Sequence, residues 1–311
     1  MSSSSPLVSV IVPAYRRAGT IRRAVESALT QTVTDLEVIV VDDGSRDGTD
    51  EVVRSIGDDR VRLFTHETNR GGNAARQTGM DQARGTWLAF LDSDDLWLPE
   101  KLEKQLQRLA EHGPQYGFCY TWYDIELNDG SFLPPREVRV EGLHRPELIA
   151  EPLVGTFSTM MVSRAVAEQV GGVDLTLPAC QDWEFVVRVS QATGVCVVPQ
   201  VLVHYWHGAG DPHRITTRKQ SVVDGHRQIY RKLRAEYPTM PTKNVRDSLH
   251  YLMKIFAEQG ALPELLTVTR GLGRHTLDAG MAAHTGRMFL RAGRRRAASL
   301  RRPMRPARTA P

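Results

Sequence analysis

Leu7-Val8-Ser9-Val10-Ile11-Val12, closed by Pro13, is short, rich in β-branched residues and apolar at nearly every position. A strand with one wet face alternates; a continuous apolar run marks a strand buried on both faces, as in a parallel sheet covered by helices. Leu36-Glu37-Val38-Ile39-Val40-Val41 reads the same way, Val61-Arg62-Leu63-Phe64 is a third strand, and Thr86 to Leu91 a fourth. Helical patterns fall between them. Thr20 can cap a helix with Ile21, Val25, Ala28 and Leu29 on one stripe, and Asp47 to Thr49 can cap another near 50–56. Asn73 to Ala83 is a helix of small residues suited to close packing. Strand and helix alternate throughout, which predicts a doubly wound, parallel α/β sheet.

In such sheets ligands sit outside the carboxyl ends of the strands. Pro13-Ala14-Tyr15 follows the first strand, Asp42-Asp43-Gly44-Ser45 the second, and Asp92-Ser93-Asp94-Asp95 the fourth. The three segments should therefore meet on one edge. Three adjacent carboxylates repel one another and are costly to desolvate without a cation. A hard divalent metal satisfies such a cluster and keeps positions open for phosphate oxygens. The plainer alternative is an acidic loop capping the helix that follows Asp95. Beyond 100 the alternation weakens. Lys101 to Glu111 is a helix, Asn128-Asp129-Gly130 a hairpin turn, and Ser163 to Val170 a helix closed by Gly171-Gly172. Residues 218–286 read as amphipathic helices, with Leu249, Leu252, Met253 and Phe256 on one face.

Composition narrows the function classes. At 311 residues the chain is long enough for one large α/β domain plus an appendage. No apolar run reaches the roughly 18 residues of a membrane span. The polar lead of residues 1–6, expected to be flexible, has no signal-peptide pattern, so the cytoplasm is the expected location. Cys119, Cys180 and Cys196 form neither a zinc spacing nor a disulfide framework. The net charge of +4 conceals an asymmetry. Residues 287–311 carry nine arginines and no acid, and removing those nine leaves −5 on the first 286 residues. Such a tail is expected to be solvated and disordered, with anionic lipid headgroups as a peripheral partner. Nucleic acid is not expected, because no aromatic residue follows Phe289 to stack on bases.

Five segments in order carry a resemblance: VSVIVPAY at 8–15, VIVVDDGSRDGT at 38–49, NRGGNAARQTGM at 69–80, WLAFLDSDD at 87–95, and GGVD with QDWEFVVRV between 171 and 189. Together they resemble the family 2 glycosyltransferases, over roughly residues 7–210. Gln77, Val173 and Gln181 depart from the family's usual Asn, Phe and Glu. The resemblance implies a GT-A, Rossmann-like, mostly parallel sheet flanked by helices in residues 7–215, with a helical C-terminal extension over 216–286. It also implies an inverting, metal-assisted transfer from a nucleoside-diphosphate sugar, UDP-linked, to an acceptor hydroxyl on a glycan, a lipid-linked saccharide or a small molecule.

The residue roles follow from that resemblance. Asp94 binds a divalent cation (Mn²⁺ or Mg²⁺), Asp92 helps position the ribose or the metal, and His207, on the face of Val201, Val203 and Tyr205, reaches the metal or diphosphate. Asp43, with Asp42 as the alternative, accepts from the imide N–H of uracil, an edge that suits an acceptor-only carboxylate. Pro13 and Tyr15 lie against the base, although Tyr15 could instead close the core. Arg70 and Arg76 are candidates for the nucleotide; Arg76 could instead pair with the aspartates. Asp182 is the general base opposite the leaving group, where a simple helix-capping aspartate is the alternative. Glu184 assists the acceptor or faces solvent, and Asp95 caps a helix or touches the ligand. Two other classes compete: a non-catalytic nucleotide-sugar or glycan-binding module, and a phospho-accepting signalling domain built on Val41-Asp42-Asp43.

Overall fold

The computed structural model describes residues 5–208, 218–272 and 286–295. Nine strands form one mixed sheet. Strands β1 (Val8–Ala14), β2 (Leu36–Asp42), β3 (Val61–Thr65) and β4 (Trp87–Phe90) run parallel in the order β3-β2-β1-β4. The sheet continues through β8 (Met161–Ser163), β6 (Tyr116–Glu126), β9 (Gly194–Trp206) and β5 (Leu96–Trp97), with β7 (Phe132–Arg136) paired to β6. Here antiparallel pairing predominates: β8 is antiparallel to β4 and β6, β5 to β9, and β7 to β6. The parallel half is the half whose strands are continuous apolar runs.

The two-faced burial of β1 is explicit. Val8, Val10 and Val12 pack with Ile21, Val25, Val38 and Val40 on one side. Ile11 packs with Ile39, Leu88, Phe90 and Ala75 on the other. Helices α1 (Ile21–Leu29), α2 (Thr49–Arg54), α3 (Gly72–Asp81) and α4 (Lys101–His112) connect the first strands. Thr20 stands at the start of α1 but its hydroxyl makes no capping hydrogen bond; α2 begins after Gly48, and Asp47 Oδ1, one residue earlier, accepts from the Thr49 N–H at 3.2 Å. Gly79 is what lets α3 lie on β1: a Cβ there would come within 2.5 Å of Ile11 Cγ2. Later come α5 (Pro146–Ala150), α6 (Arg164–Gln169), which Ser163 caps by accepting from the Val166 N–H, and α7 (Gln181–Ala192).

The chain divides into two compact units. One comprises Met1–Leu148, Pro152–Thr176 and Gln181–Pro212; the other comprises Ile149–Glu151, Leu177–Cys180 and His213–Pro311. The second unit holds α8 (Lys219–Leu233), α9 (Thr242–Gln259) and α10 (Leu262–Leu272). The stripe expected on α9 is buried: Leu249, Leu252, Met253 and Phe256. The division differs from a single cut after 215, because two short segments upstream join the helical unit. Residues 286–295 are helical, so a disordered tail starting at 287 is corrected over that stretch. Residues 1–4 of the N-terminal lead and residues 296–311 of the basic tail lie outside the described residues.

Candidate active site

Parallel pairing of Ala14 with Asp42, and of Ile11 with Phe90, brings the carboxyl ends of β1, β2 and β4 to one edge. The loops there are tied together. Asp43 N–H donates to Ala14 carbonyl oxygen at 2.8 Å, and Arg16 N–H to Ser45 Oγ at 2.8 Å. Arg16 adopts φ +54°, a left-handed backbone that costs a non-glycine residue energy and is held here by its neighbours. Pro13 is buried inside β1 opposite Val41, and Tyr15 is half-buried just beyond the strand end.

The two aspartates of β2 differ. Asp43 Oδ1 accepts from His66 Nδ1 (2.7 Å) and the Arg70 N–H (2.8 Å), and Oδ2 from the Gly71 N–H (2.7 Å). Asp42 Oδ1 accepts from the Ser45 N–H at 3.2 Å, while its Oδ2 is buried with no hydrogen-bond partner. A buried carboxylate oxygen left unsatisfied is costly unless something else donates to it. Arg70 thus fixes Asp43 through its backbone, and its side chain is exposed.

The acids after β4 also separate. Asp92 pairs with Arg76 at 2.5 Å and accepts from Thr156 Oγ1 at 3.4 Å. Asp94 pairs with Arg17 at 3.2 Å. Asp95 is buried; it accepts from Ser158 Oγ at 2.5 Å and from the Trp206 N–H at 3.0 Å. Burial, with Asp94 and Asp92 beside it, pushes its pKa well up. The helix-cap alternative for Asp95 is therefore corrected. Strand β5 intervenes, Glu100 stands at the start of α4, and Asp95 instead ties the turn to β9 and to the 3-10 turn Phe157–Thr159. Ser158 Oγ in turn accepts from the Asp92 N–H at 3.0 Å.

Asp182 lies in the first turn of α7, where its Oδ1 accepts from the Trp183 N–H at 2.8 Å. It lies against Val154, Gly155, Met160 and Val186. Burial raises its pKa to about 6; the Trp183 N–H and Arg76 oppose that shift, and Asp92 adds to it. Tyr123 is near enough to feel both Asp182 and Asp95; burial raises its pKa, and the two carboxylates add to the rise. Glu184 neither faces solvent nor reaches out for an acceptor: it is buried and paired with Arg188 at 2.7 Å.

His207 is exposed at the end of β9, its N–H donating to Glu126 carbonyl oxygen at 2.8 Å. The neighbouring His204 is held by Asp124 at 2.6 Å. Among the described residues no three His, Cys, Asp or Glu side chains are grouped to hold a metal, so Asp92, Asp94 and His207 are not assembled as the expected trio. The carboxylate pair alone fits a divalent cation. It offers hard oxygens, leaves most coordination positions for phosphate and water, and already attracts two guanidinium groups. Sequence reasoning missed Arg17, His66, Tyr123 and Ser158. Of these, only Arg17 left a signal, an arginine two residues beyond Tyr15 at the same strand end.

The pattern of Glycosyl transferase family 2 matches residues 9–171. The chain belongs to this family. It is a glycosyltransferase, with the GT-A sheet and a helical C-terminal region. It is 35% identical over 177 residues to a putative teichuronic acid biosynthesis glycosyltransferase, TuaG, of Bacillus subtilis, covering 56% of this chain and 68% of that one. It is 38% identical over 135 residues to the Escherichia coli UDP-Glc:alpha-D-GlcNAc-diphosphoundecaprenol beta-1,3-glucosyltransferase WfgD, covering 42% of this chain and 53% of the relative. To ExoO, a succinoglycan biosynthesis protein of Rhizobium meliloti, it is 47% identical over 110 residues, which are 35% of this chain and 32% of that one. The match thus spans about half or less of some relatives. In fold, S. aureus TarS 1-349 in complex with UDP-GlcNAc superposes with a TM-score of 0.62 at 16% identity, covering 96% of this chain and 93% of that one. The Pyrobaculum calidifontis mannosyltransferase PcManGT, with GDP-Man and Mn2+, gives 0.57 at 21% identity, covering 96% and 88%.

Proposed function

We propose that this glycosyltransferase moves a sugar from a UDP-sugar to an acceptor hydroxyl with inversion, assisted by a divalent cation, with Asp182 as general base. The observation that carries this reading is the convergence of the Asp42–Asp43 pair, the Asp92–Asp94 pair and a half-buried Asp182 within one unit. The β2 aspartates read the base. Asp42 Oδ2 lacks a donor, Asp43 is held rigid by three, and a carboxylate accepts from the uracil imide. Tyr15, whose ring centroid lies 5.5 Å from the Arg16 guanidinium, follows the neighbouring strand and is the aromatic candidate to lie against the base. Asp94, with Asp92, would hold the cation, which when bound offsets charge on the departing diphosphate as a Lewis acid.

Asp182 takes the proton of the acceptor hydroxyl. A carboxyl group raised to about 6 is a stronger base than an ordinary one and remains ionised near neutral pH. A pure binding module has no use for such a group. The name of WfgD supports a UDP-sugar donor and a lipid-linked acceptor, and that of PcManGT supports a metal. No described helix is long and apolar enough to cross a membrane. The nine arginines of residues 287–311 suit contact with anionic lipid around a lipid-linked acceptor.

Calorimetric titration of UDP with and without Mn²⁺ or Mg²⁺ tests the reading. Metal should tighten binding about tenfold or more, and Asp94→Ala should abolish that gain while leaving uridine binding intact. Equal UDP affinity with and without metal, in both proteins, refutes it.

A further inference from the structure

Two arginines divide Asp92 and Asp94 between them, and they are held by different contacts. Arg76 rises from α3, 10% exposed, with its guanidinium 4.4 Å from the Phe157 ring centroid and 2.5 Å from Asp92. It is clamped between a ring and a carboxylate. Arg17 reaches Asp94 from the loop after β1 at the longer distance of 3.2 Å, with the two side chains 14% and 18% exposed. Its backbone is fixed by a set of loop contacts. Arg16 is held left-handed, Arg17 N–H donates to Thr49 Oγ1 at 2.9 Å, and Ala18 N–H to Asp47 Oδ2 at 3.3 Å. Strain kept at such a corner aims the next side chain across the sheet edge.

We propose that Arg17 is a leaving-group cation: it neutralises Asp94 in the nucleotide-free protein and passes to the donor diphosphate when a divalent cation takes that carboxylate. The assignment rests on the proposed function. A metal ion and a guanidinium on one carboxylate repel each other, so metal on Asp94 weakens the Arg17 contact. The two phosphates of a nucleotide-sugar and a divalent cation carry equal and opposite charge, so the exchange leaves the net charge of the edge unchanged, with Arg17 kept among its anions. The planar guanidinium matches phosphate oxygens with parallel N–H donors, which a lysine ammonium does not. As the anomeric carbon–oxygen bond breaks, its electron pair leaves with the diphosphate, where Arg17 meets the growing charge. The acceptor oxygen forms the new bond and its proton passes to Asp182.

Arg17→Gln and Arg17→Lys test the assignment with three ligands: uridine, UDP with Mn²⁺, and Mn²⁺ alone followed by electron paramagnetic resonance. Arg17→Gln should leave uridine affinity unchanged and weaken UDP by about 10- to 100-fold, the loss expected of a charge-assisted contact. Mn²⁺ alone should bind about 2- to 5-fold more tightly, because its competitor for Asp94 is gone. Arg17→Lys should recover part of the UDP affinity. Arg17→Gln binding UDP like the wild type, while Asp94→Ala weakens it, overturns this assignment alone. Weaker Mn²⁺ binding in a folded Arg17→Gln overturns it too. A wild type that binds UDP no better than uridine overturns both this assignment and the proposed function.

Discussion

Asp182→Asn should make the protein more stable and, at the same time, nearly inactive. Burial raises the Asp182 pKa from 3.8 to about 6. That is roughly two units, each equivalent to about 1.4 kcal/mol, so the fold opposes this ionisation by up to about 3 kcal/mol. A carboxyl group with a folded pKa above its unfolded one contributes stability that is full below about pH 4 and is lost as pH rises through about 6. At pH 7.5 the folded wild type therefore holds a carboxylate that its surroundings disfavour. Asparagine does not ionise, and its Oδ1 can still accept from the Trp183 N–H that Asp182 receives at 2.8 Å.

The melting temperature of Asp182→Asn should thus exceed that of the wild type by several degrees at pH 7.5, with the gap closing as pH falls toward 4. UDP binding should persist. Transfer should fall by about 10²- to 10⁴-fold, the usual contribution of a general base. The wild-type rate should show an acid limb near 6, roughly tenfold below its plateau at pH 5. Scanning calorimetry across pH, beside a released-UDP assay, reads both. A variant no more stable than wild type at pH 7.5, or an acid limb centred near 4, refutes the burial argument; transfer at the wild-type rate refutes the base.

Two further substitutions probe the frame. Asp95→Ala strands the Ser158 hydroxyl and the Trp206 N–H, at about 1–3 kcal/mol for each buried group, whereas Asp95→Asn can serve both and should melt within a few degrees of wild type; equal melting of the two variants contradicts the latch. Gly79→Ala gains helix propensity of about 1 kcal/mol but drives a methyl to 2.5 Å from Ile11, so a net loss of about 1–2 kcal/mol is expected in denaturant melts, and a net gain would show that α3 can move off β1.

The parallel half of the sheet was legible because its strands are buried on both faces, and continuous apolar runs such as 7–12 and 36–41 admit few other readings. Of the antiparallel half only the β6–β7 hairpin was, through its Asn128-Asp129-Gly130 turn. Strand β8 has three residues and β5 two, too short for a periodic pattern. The position of three acidic segments on one edge followed from strand polarity alone. Their partners did not, because Arg17 meets Asp94, His66 meets Asp43, and Ser158 meets Asp95 only through long-range folding. Asp95 misled for a local reason: an acid a few residues before a helix resembles a cap, and a two-residue strand is invisible to periodicity.

The acids of this edge are each handled by different chemistry, and that difference is what separates their proposed roles. Asp43 is surrounded by an imidazole and two backbone N–H groups, which hold it as a fixed acceptor. Asp92 and Asp94 face guanidinium groups, so their sites already favour a cation. Asp95 is shut away behind a hydroxyl and a backbone N–H, with a pKa pushed well up by burial, which suits a structural post and excludes it from solvent. Asp182 alone combines partial exposure with a pKa near 6. Where neighbouring carboxyl groups are driven to different pKa values, the one poised near neutrality and open to a substrate is the one suited to moving a proton. Neighbours at the proposed donor site thus tune the base: Arg76 opposes the rise and Asp92 adds to it, so loss of Arg76 alone should move the acid limb of the rate profile to higher pH and loss of Asp92 alone should move it lower.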